Sequence, residues 1–334
     1  MPLILKRPDV LDLYQRGRDR GWVIPCFCTE NLTTTEAVLA AVYDHGKKIA
    51  DAKLPVTLAV TNLYDHRSQT VAYTHTRDWR VGLELFLADL RVLCGPKSPF
   101  RELSVMIHLD HIQHDLDHEL LASDFEDVSS IMYDASTLPF EQNMAKTRAF
   151  VAGKGKKVVV EGACDEIMDA TGTVHNEMTT AERAERYLKE TGVDMMVANL
   201  GTEHRANTAN LKYDGARARE IRAAIGPKIV LHGTSSVPSE QVGSLMADGV
   251  CKVNIWTALE RDASPVLLRD MVAHAAQVAG SAEAKKLRDE GLLGPKAPVE
   301  GNADLGHFTT EYRQALVYGK MKAIVQGYLE LWYR

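Results

Sequence analysis

The sequence has no long apolar segment and no dense run of basic residues. No uninterrupted apolar run approaches the roughly 18 residues of a membrane-spanning helix. Charges at Lys6, Arg7 and Asp9 interrupt the region where a signal peptide would be apolar. A formal net charge of −6 also argues against a cationic surface that binds nucleic acid. We therefore expect a cytoplasmic protein that binds small molecules, with neither a membrane nor a nucleic acid as its partner.

Cysteine is scarce as well, and it occurs in an odd number. The five cysteines are Cys26, Cys28, Cys94, Cys164 and Cys251, and a single residue separates the first two. This pattern fits free thiols in a reducing compartment better than a disulfide scaffold or a zinc knuckle. Repeats and low-complexity tracts are also lacking. Because 45% of the residues are apolar and can form a core, we expect a single domain over residues 1–334.

Short apolar, β-branched runs recur along the chain, each followed by a polar or glycine-containing turn and then by a segment of helical periodicity. The eight clearest runs are residues 23–27, 55–60, 103–109, 128–133, 158–161, 195–199, 228–231 and 250–255. Repeated strand-helix units of this number predict an α/β protein, the closed parallel (β/α)8 or TIM barrel.

Helices are expected between these strands and after the last one. Threonines at 33–35 are available to cap a helix over residues 34–51, and Pro139 suits the first turn of a helix over residues 139–153. Beyond about residue 264 the chain is expected to form additional C-terminal helices, with a mobile interruption at the Gly- and Pro-rich residues 291–306.

Polar residues that directly follow the predicted strands are candidates for the active site, because parallel barrels carry their chemistry at the carboxyl ends of the strands. These residues are Asp110, His111, Glu161, Glu203, His204, His232 and Asn254. The three histidines come from three separate strand ends. Imidazole suits zinc, and three protein ligands leave a coordination position for a substrate, so we predict a zinc site with three histidine ligands.

Six short strings around these residues resemble class II fructose- and tagatose-bisphosphate aldolases in their order and spacing. They are HLDH (108–111), MYDAS (132–136) followed by LPFEQN, VVVEG (158–162), GTEH (201–204), VLHGTSS (230–236) and CKVNIWT (251–257). Each string alone is moderately specific for the family. The ordered set, which extends over roughly residues 10–265, is a strong indication of it. The resemblance implies a lyase that reversibly cleaves a ketose phosphate or a related hydroxy-ketone through a zinc-stabilised enediolate, assembled as a homodimer or homotetramer. Another divalent metal remains open.

The resemblance also implies roles for individual residues. His111, His204 and His232 match the zinc ligands, with Glu161 as a further candidate ligand. Asp110 matches the acid that exchanges a proton with the substrate oxygen. A loop after the fifth strand supplies the second acid/base group, for which Glu166 and Asp169 are both candidates. The candidate residues for binding the sugar or sugar phosphate are Asn31, Gly201, Arg205, Gly233, Ser235, Asn254 and Thr257.

The sequence departs from the family pattern in its phosphate-binding strings. The family's HGGSG reads HGTSS at residues 232–236, and its NxDT reads NIWT at residues 254–257, with Trp256 in place of a carboxylate. Ala163 replaces a second glutamate, and Arg205 replaces a glycine. Arg205 suits a bidentate pair with a phosphate, sulfonate or carboxylate. We interpret the chain as a divergent member with an altered anion or sugar pocket around a retained metal centre.

Alternative interpretations follow from the same residues. A zinc hydrolase on the same barrel would use zinc-bound water, with Asp110 as its base. A non-catalytic relative would bind a sugar phosphate without converting it. Lys252 on the last strand suits a Schiff base, as in class I aldolases, and His114 and His118 have the spacing of a rival metal-binding pair on one helix face.

Overall fold

The computed structural model describes residues 2–169, 178–204 and 212–334, with the backbone alone at Met168 and Asp169. Its strands are β1 Ile24–Cys28, β2 Pro55–Thr61, β3 Ser104–Gln113, β4 Ser130–Asp134, β5 Val159–Ala163, β6 Met168–Asp169, β7 Met195–Val197, β8 Glu203–His204, β9 Ile229–Leu231 and β10 Val250–Ile255. Eight of them close a parallel barrel in the order β1-β2-β3-β4-β5-β7-β9-β10, and β6 pairs with β8 in a separate two-stranded sheet. The predicted TIM barrel is confirmed.

Helices alternate with the barrel strands and continue after the last one. They are α1 Arg7–Asp19, α2 Leu32–Lys48, α3 Gln69–Ala72, α4 Trp79–Leu93, α5 His118–Ala122, α6 Phe140–Lys154, α7 Ala181–Thr191, α8 Gly215–Ile225, α9 Ser239–Val242, α10 Thr257–Ala273, α11 Ala275–Ala279, α12 Ser281–Asp289, α13 Leu305–Phe308 and α14 Thr310–Trp332. A 3-10 turn covers Thr234–Ser236. The expected C-terminal helices are therefore present, and residues 290–304 between α12 and α13 form neither helix nor strand.

Six of the eight predicted strands end at other residues than expected, and two of these differences have a local reason. The run at 195–199 leaves the barrel after Val197, because the backbone of Asn199 bonds to Thr179 instead. The Asn199 carbonyl accepts from the Thr179 N–H, and the Asn199 N–H donates to the Thr179 hydroxyl. β3 continues past Leu109 to Gln113, because its pairing with β4 shifts in register between Leu109 and Ile112 and then resumes. This irregularity contains two of the candidate site residues.

The start of α2 also differs from the expectation. Its N-cap is Asn31, whose side-chain oxygen accepts a hydrogen bond from the backbone N–H of Thr34 over 3.1 Å. Asparagine is a strong N-cap residue because its carbonyl oxygen satisfies a backbone donor that the first helical turn leaves unpaired. The threonines that were expected to cap the helix lie within its first turns.

The helix α1 closes the amino-terminal end of the barrel. Its Val10 and Tyr14 belong to the same buried apolar cluster as Ile24, Met106 and Val159, which lie near the starts of their strands. Burial of this apolar surface stabilises the barrel from within. The candidate residues Asp110, His111 and His232 lie towards the opposite end, near the carboxyl ends of the strands.

The longest helix, α14, packs on the outside of the barrel against α2 and α10. Its buried residues Met321, Val325, Leu329 and Trp332 recur at spacings of three and four, so they form one apolar stripe along the helix. Within the described residues, no helix has both the length and the apolar content that crossing a membrane requires.

Candidate active site

The register shift in β3 brings two consecutive side chains, Asp110 and His111, into the site. His111 has a φ of 48°, in the left-handed region that few residues other than glycine adopt. Its side chain is held in place by a hydrogen bond, which Nδ1 donates to Asp134 Oδ2 over 2.8 Å. A carboxylate at Nδ1 fixes the tautomer of the ring and leaves Nε2 available as a ligand.

The three predicted histidine ligands meet at the carboxyl end of the barrel. His111 comes from β3, His204 from β8 and His232 from the turn after β9, and their potential ligand atoms all lie within 4.8 Å of one another. His111 Nε2 lies 3.0 Å from His232 Nδ1. Two nitrogens on one tetrahedral zinc ion are about 3.3 Å apart, given zinc–nitrogen bonds of about 2.0 Å. The residues present therefore fit a divalent metal ion of the zinc type.

His232 is suited to such a site by its surroundings. It is 2% exposed, and burial lowers its pKa well below the ordinary value, with His111 and His204 adding to the decrease. The negative charge of Asp110 acts to raise the pKa of His232, but it does not reverse the decrease. The neutral imidazole that results is the protonation state that binds a metal.

The carboxylate of Asp110 lies beside the histidines and is almost completely buried. Its Oδ1 accepts a hydrogen bond from Asn254 Nδ2 over 2.9 Å, and its Oδ2 lies 3.4 Å from the thiol of Cys28. Burial alone would raise the pKa of Asp110, but the neighbouring His111, together with His108, holds it well below its usual range. Asp110 is therefore an ionised acceptor directed into the site, rather than a protonated acid.

A second set of buried polar side chains lies deeper in the barrel. Lys252 Nζ is 2.7 Å from Glu161 Oε1, and both side chains are inaccessible to solvent. His108 Nε2 is 3.6 Å from Glu161 and 3.5 Å from Asp110, so it lies between this ion pair and the site. Burial acts to lower the pKa of Lys252, but Cys26, Glu161 and Asp110 raise it above the ordinary value. A charged lysine is not the free amine that a Schiff base requires.

An open cavity of about 620 Å³, including the space at its mouth, lies over the histidines. The predicted site residues that line it are Asp110, His111, His204, His232, Gly233, Ser235, Asn254 and Thr257. The cavity thus brings together most of the residues that were selected from the sequence. Their assignment as ligands, catalytic groups or substrate contacts stays a prediction.

The remaining predicted site residues lie elsewhere or outside the described residues. Asn31 caps α2, the N–H of Gly201 donates to Asn199 Oδ1, and Glu161 pairs with Lys252. Glu166 lines a separate cavity beside Asp165 and Arg183. Arg205 falls outside the described residues, as does the side chain of Asp169. Roles for these residues also stay predictions.

The turn after β9 has the geometry of a tight loop. Gly233 has a φ of 67°, and a Cβ atom there would lie 2.8 Å from the backbone oxygen of Glu203, so the position requires glycine. The hydroxyl of Thr234 donates to the Asn254 carbonyl over 2.7 Å, and that of Ser236 accepts from the Glu203 N–H over 2.9 Å. The side chains that replace the family's glycines therefore hold the loop in place.

The cavity rim contains residues that the sequence argument missed. Arg67 forms a two-pronged ion pair with Glu30, and the indole N–H of Trp256 donates to Glu30 over 2.9 Å. Tyr64 and His66 also line the cavity. The string NLYDHR, residues 62–67, follows the predicted strand at 55–60 after one threonine, so the same rule that selected Asp110 would have selected these polar residues.

The fold and the cavity define the class of protein. A TIM barrel whose carboxyl-terminal face carries convergent histidines, a buried carboxylate and an open pocket is an enzyme acting on small molecules. The chain belongs to the class II fructose-bisphosphate aldolase family, whose model matches residues 9–291. The protein is therefore an aldolase, a carbon–carbon lyase, and the resemblance found in the six strings is confirmed. This result favours the lyase over the hydrolase and the non-catalytic relative.

Solved structures share the fold at low sequence identity, as expected for a divergent member. The fructose-bisphosphate aldolase of Campylobacter jejuni is 15% identical with a TM-score of 0.75, covering 99% of this chain and 95% of that chain. The YdjI aldolase of Escherichia coli K12 is 18% identical with a TM-score of 0.63, covering 96% and 95%. A Coccidioides immitis protein, proposed to be a fructose-1,6-bisphosphate aldolase, is 21% identical with a TM-score of 0.65 and the same coverage.

Proposed function

We propose that this aldolase reversibly cleaves a ketose phosphate, or a related hydroxy-ketone, with a divalent metal ion held by His111, His204 and His232. Zinc is the first choice, because the donor set consists of imidazoles and the family is generally zinc-dependent. The observation that carries the proposal is the convergence of the three ligand nitrogens within 4.8 Å at the floor of the cavity.

The bound metal would polarise the ketose carbonyl and stabilise the negative charge that cleavage leaves on the ketone fragment. The protein's own contribution begins with orientation. Asp134 fixes the ring of His111 through Nδ1, and Asn254 fixes the carboxylate of Asp110. Both partners are buried, so neither ring nor carboxylate is free to turn towards solvent.

Asp110 is proposed to exchange the proton of the reacting hydroxyl. In the cleavage direction, its ionised carboxylate takes this proton, the carbon–carbon bond breaks, and the hydroxyl carbon becomes an aldehyde. The ketone fragment must then gain a proton at carbon from a second group. Glu166 and Asp169 remain the candidates for this step, because both lie in the segment after β5.

The phosphate end of the substrate is proposed to lie between the turn at Gly233 and Ser235 and the start of α10 at Thr257. All three residues line the cavity. A helix N-terminus presents backbone N–H groups and a partial positive charge, which favour an anion. Arg205 would add a full positive charge, and Asn31 and Gly201 complete the predicted set of substrate contacts.

A substrate screen before and after metal removal tests this proposal. Aldehyde release would be measured with phosphorylated and free ketoses, using metal-loaded protein, chelated protein and chelated protein resupplied with Zn²⁺. We expect activity with a ketose phosphate, its loss on chelation and its return with Zn²⁺. Activity that survives complete metal removal, together with borohydride trapping at Lys252, would overturn the proposal in favour of a Schiff base.

We further propose that residues 1–334 form a single domain that assembles as a homodimer or homotetramer. Sedimentation velocity at micromolar concentration tests the assembly, and a single cooperative unfolding transition tests the domain. A purely monomeric protein, or two separate transitions, would contradict these two proposals respectively.

A further inference from the structure

Tyr64 contacts two of the three candidate metal ligands at once. Its ring stacks parallel on the ring of His111, with the ring centroids 4.2 Å apart and an interplanar angle of 0°. Its hydroxyl oxygen lies 3.4 Å from Nδ1 of His204. Because 3.4 Å is long for a hydrogen bond, the hydroxyl is a weaker restraint on His204 than Asp134 is on His111.

The loop that carries Tyr64 is fixed to the barrel by buried polar contacts. Asp117, which is 2% exposed, accepts hydrogen bonds from the Asn62 side chain over 2.8 Å and from the Leu63 N–H over 3.2 Å. The hydroxyl of Ser68 donates to the backbone oxygen of Tyr64 over 3.0 Å. These contacts hold the backbone on both sides of Tyr64 in place and so limit where its ring can lie.

His204 is more exposed than the other two histidines. It lies in the two-residue strand β8 and is only partly buried, whereas His111 and His232 are 6% and 2% exposed. A partner at Nδ1 selects the tautomer that leaves Nε2 to bind a metal. The stacked ring of Tyr64 also covers one face of His111 and prevents that ring from tilting in its direction.

We infer that Tyr64 is a positioning residue, which pre-arranges His111 with its ring face and His204 with its hydroxyl for binding a common divalent cation. The inference rests on the proposed metal-dependent function. It assigns the loop after β2 a part in the metal centre, although no residue of that loop is itself a proposed ligand.

Two variants separate the contributions of the hydroxyl and the ring. Tyr64→Phe keeps the stacked ring and removes the contact with His204, whereas Tyr64→Leu removes both. Tyr73→Phe is the matched control, because its hydroxyl donates to Asp89 over 2.5 Å on the outer side of the barrel. The Zn²⁺ dissociation constant of each protein would be measured by competition with a chromophoric chelator. The geometry around the metal would be compared through the visible absorption spectra of the Co²⁺-loaded proteins.

Loss of a group that orients a metal ligand typically weakens metal binding by about 10- to 100-fold. We expect Tyr64→Phe to lie near the lower end of this range, Tyr64→Leu near the upper end, and Tyr73→Phe to bind Zn²⁺ as the parent does. The Co²⁺ spectrum should change only in the Tyr64 variants. Thermal unfolding of the metal-free proteins shows whether each variant is folded.

The outcomes distinguish this inference from the proposed function. If the folded Tyr64 variants bind Zn²⁺ as tightly as the parent, with the same Co²⁺ spectrum, the positioning role is wrong while the metal centre stands. If His232→Ala binds Zn²⁺ and Co²⁺ with the same affinity as the parent, the histidines are not the metal site. The proposed function would then fail, whatever the Tyr64 variants show. Equal weakening in Tyr73→Phe would also overturn the inference, since the effect would then be general destabilisation.

Discussion

Asn254 Nδ2 donates a hydrogen bond to Asp110 Oδ1 over 2.9 Å and thereby joins the last strand of the barrel to the irregular part of β3. The two residues are 144 positions apart in the sequence, and both are buried. The other carboxylate oxygen, Oδ2, lies 3.4 Å from the thiol of Cys28, so both oxygens have a partner on another strand. Asp110 thus has a fixed direction as well as a fixed charge.

Asp110→Asn is expected to lower kcat by at least about 100-fold, because an amide cannot take the hydroxyl proton. Zinc content should remain that of the parent, as Asp110 is not one of the converging ligands. Steady-state aldehyde release and metal analysis of the same preparation measure both quantities. Asp115→Asn, at an exposed position nearby, is the control. A variant that retains most of its activity would rule out Asp110 as the proton acceptor.

Asp134→Asn is expected to weaken Zn²⁺ binding by about 10-fold or more, because the carboxylate that orients His111 loses its charge. Chelator competition measures the affinity. Ser136→Ala removes only the 2.7 Å hydrogen bond to the other oxygen of Asp134, so its effect should be smaller. Equal affinities in all three proteins would show that the ring of His111 needs no orienting partner.

Lys252→Met is expected to lower the free energy of unfolding by about 3–5 kcal/mol, since it leaves the Glu161 carboxylate buried without its cation. Urea denaturation measures the change. Lys48→Met is the control, because Lys48 forms a pair of equal length with Glu330 on the surface, where solvent screening should make its contribution much smaller. Similar losses in the two variants would contradict the distinction between buried and exposed pairs.

Glu260→Gln is expected to change how stability depends on pH. Burial, aided by Glu30, raises the pKa of Glu260 from its ordinary value of 4.5 to about 7. Between these values the folded protein binds more protons than the unfolded chain, so Glu260 makes stability fall as pH rises through this window. Glutamine removes that dependence.

Urea denaturation of the Glu260→Gln variant and its parent at pH 5 and pH 8 tests this prediction. The variant should gain stability relative to the parent on going from the lower to the higher pH. Glu240→Gln, at an exposed position in the first turn of α9, should show no such gain. A constant difference between Glu260→Gln and the parent at both pH values would mean that Glu260 ionises alike in the folded and unfolded states.

Much of the fold and the three converging histidines could be predicted from the sequence, because strand ends in a parallel barrel share one face. The left-handed backbone at His111 could not be predicted. Nothing in the string HLDH marks the register shift that brings the side chains of both Asp110 and His111 into the site. The Lys252–Glu161 pair was missed because it joins residues 91 positions apart. Tyr64 was missed although the rule for polar residues after strands covers it, because a tyrosine in that position also suits ordinary core packing.

The position of the first residues bears on how the protein can be handled. Pro2 and Leu3 lie beside Val105 at the start of β3, on the side of the barrel that α1 covers. A purification tag or a fluorescent domain attached before Pro2 would therefore emerge on the far side from the histidines. Such a fusion should leave turnover intact, which makes this end of the chain the appropriate one for immobilising the enzyme on a support.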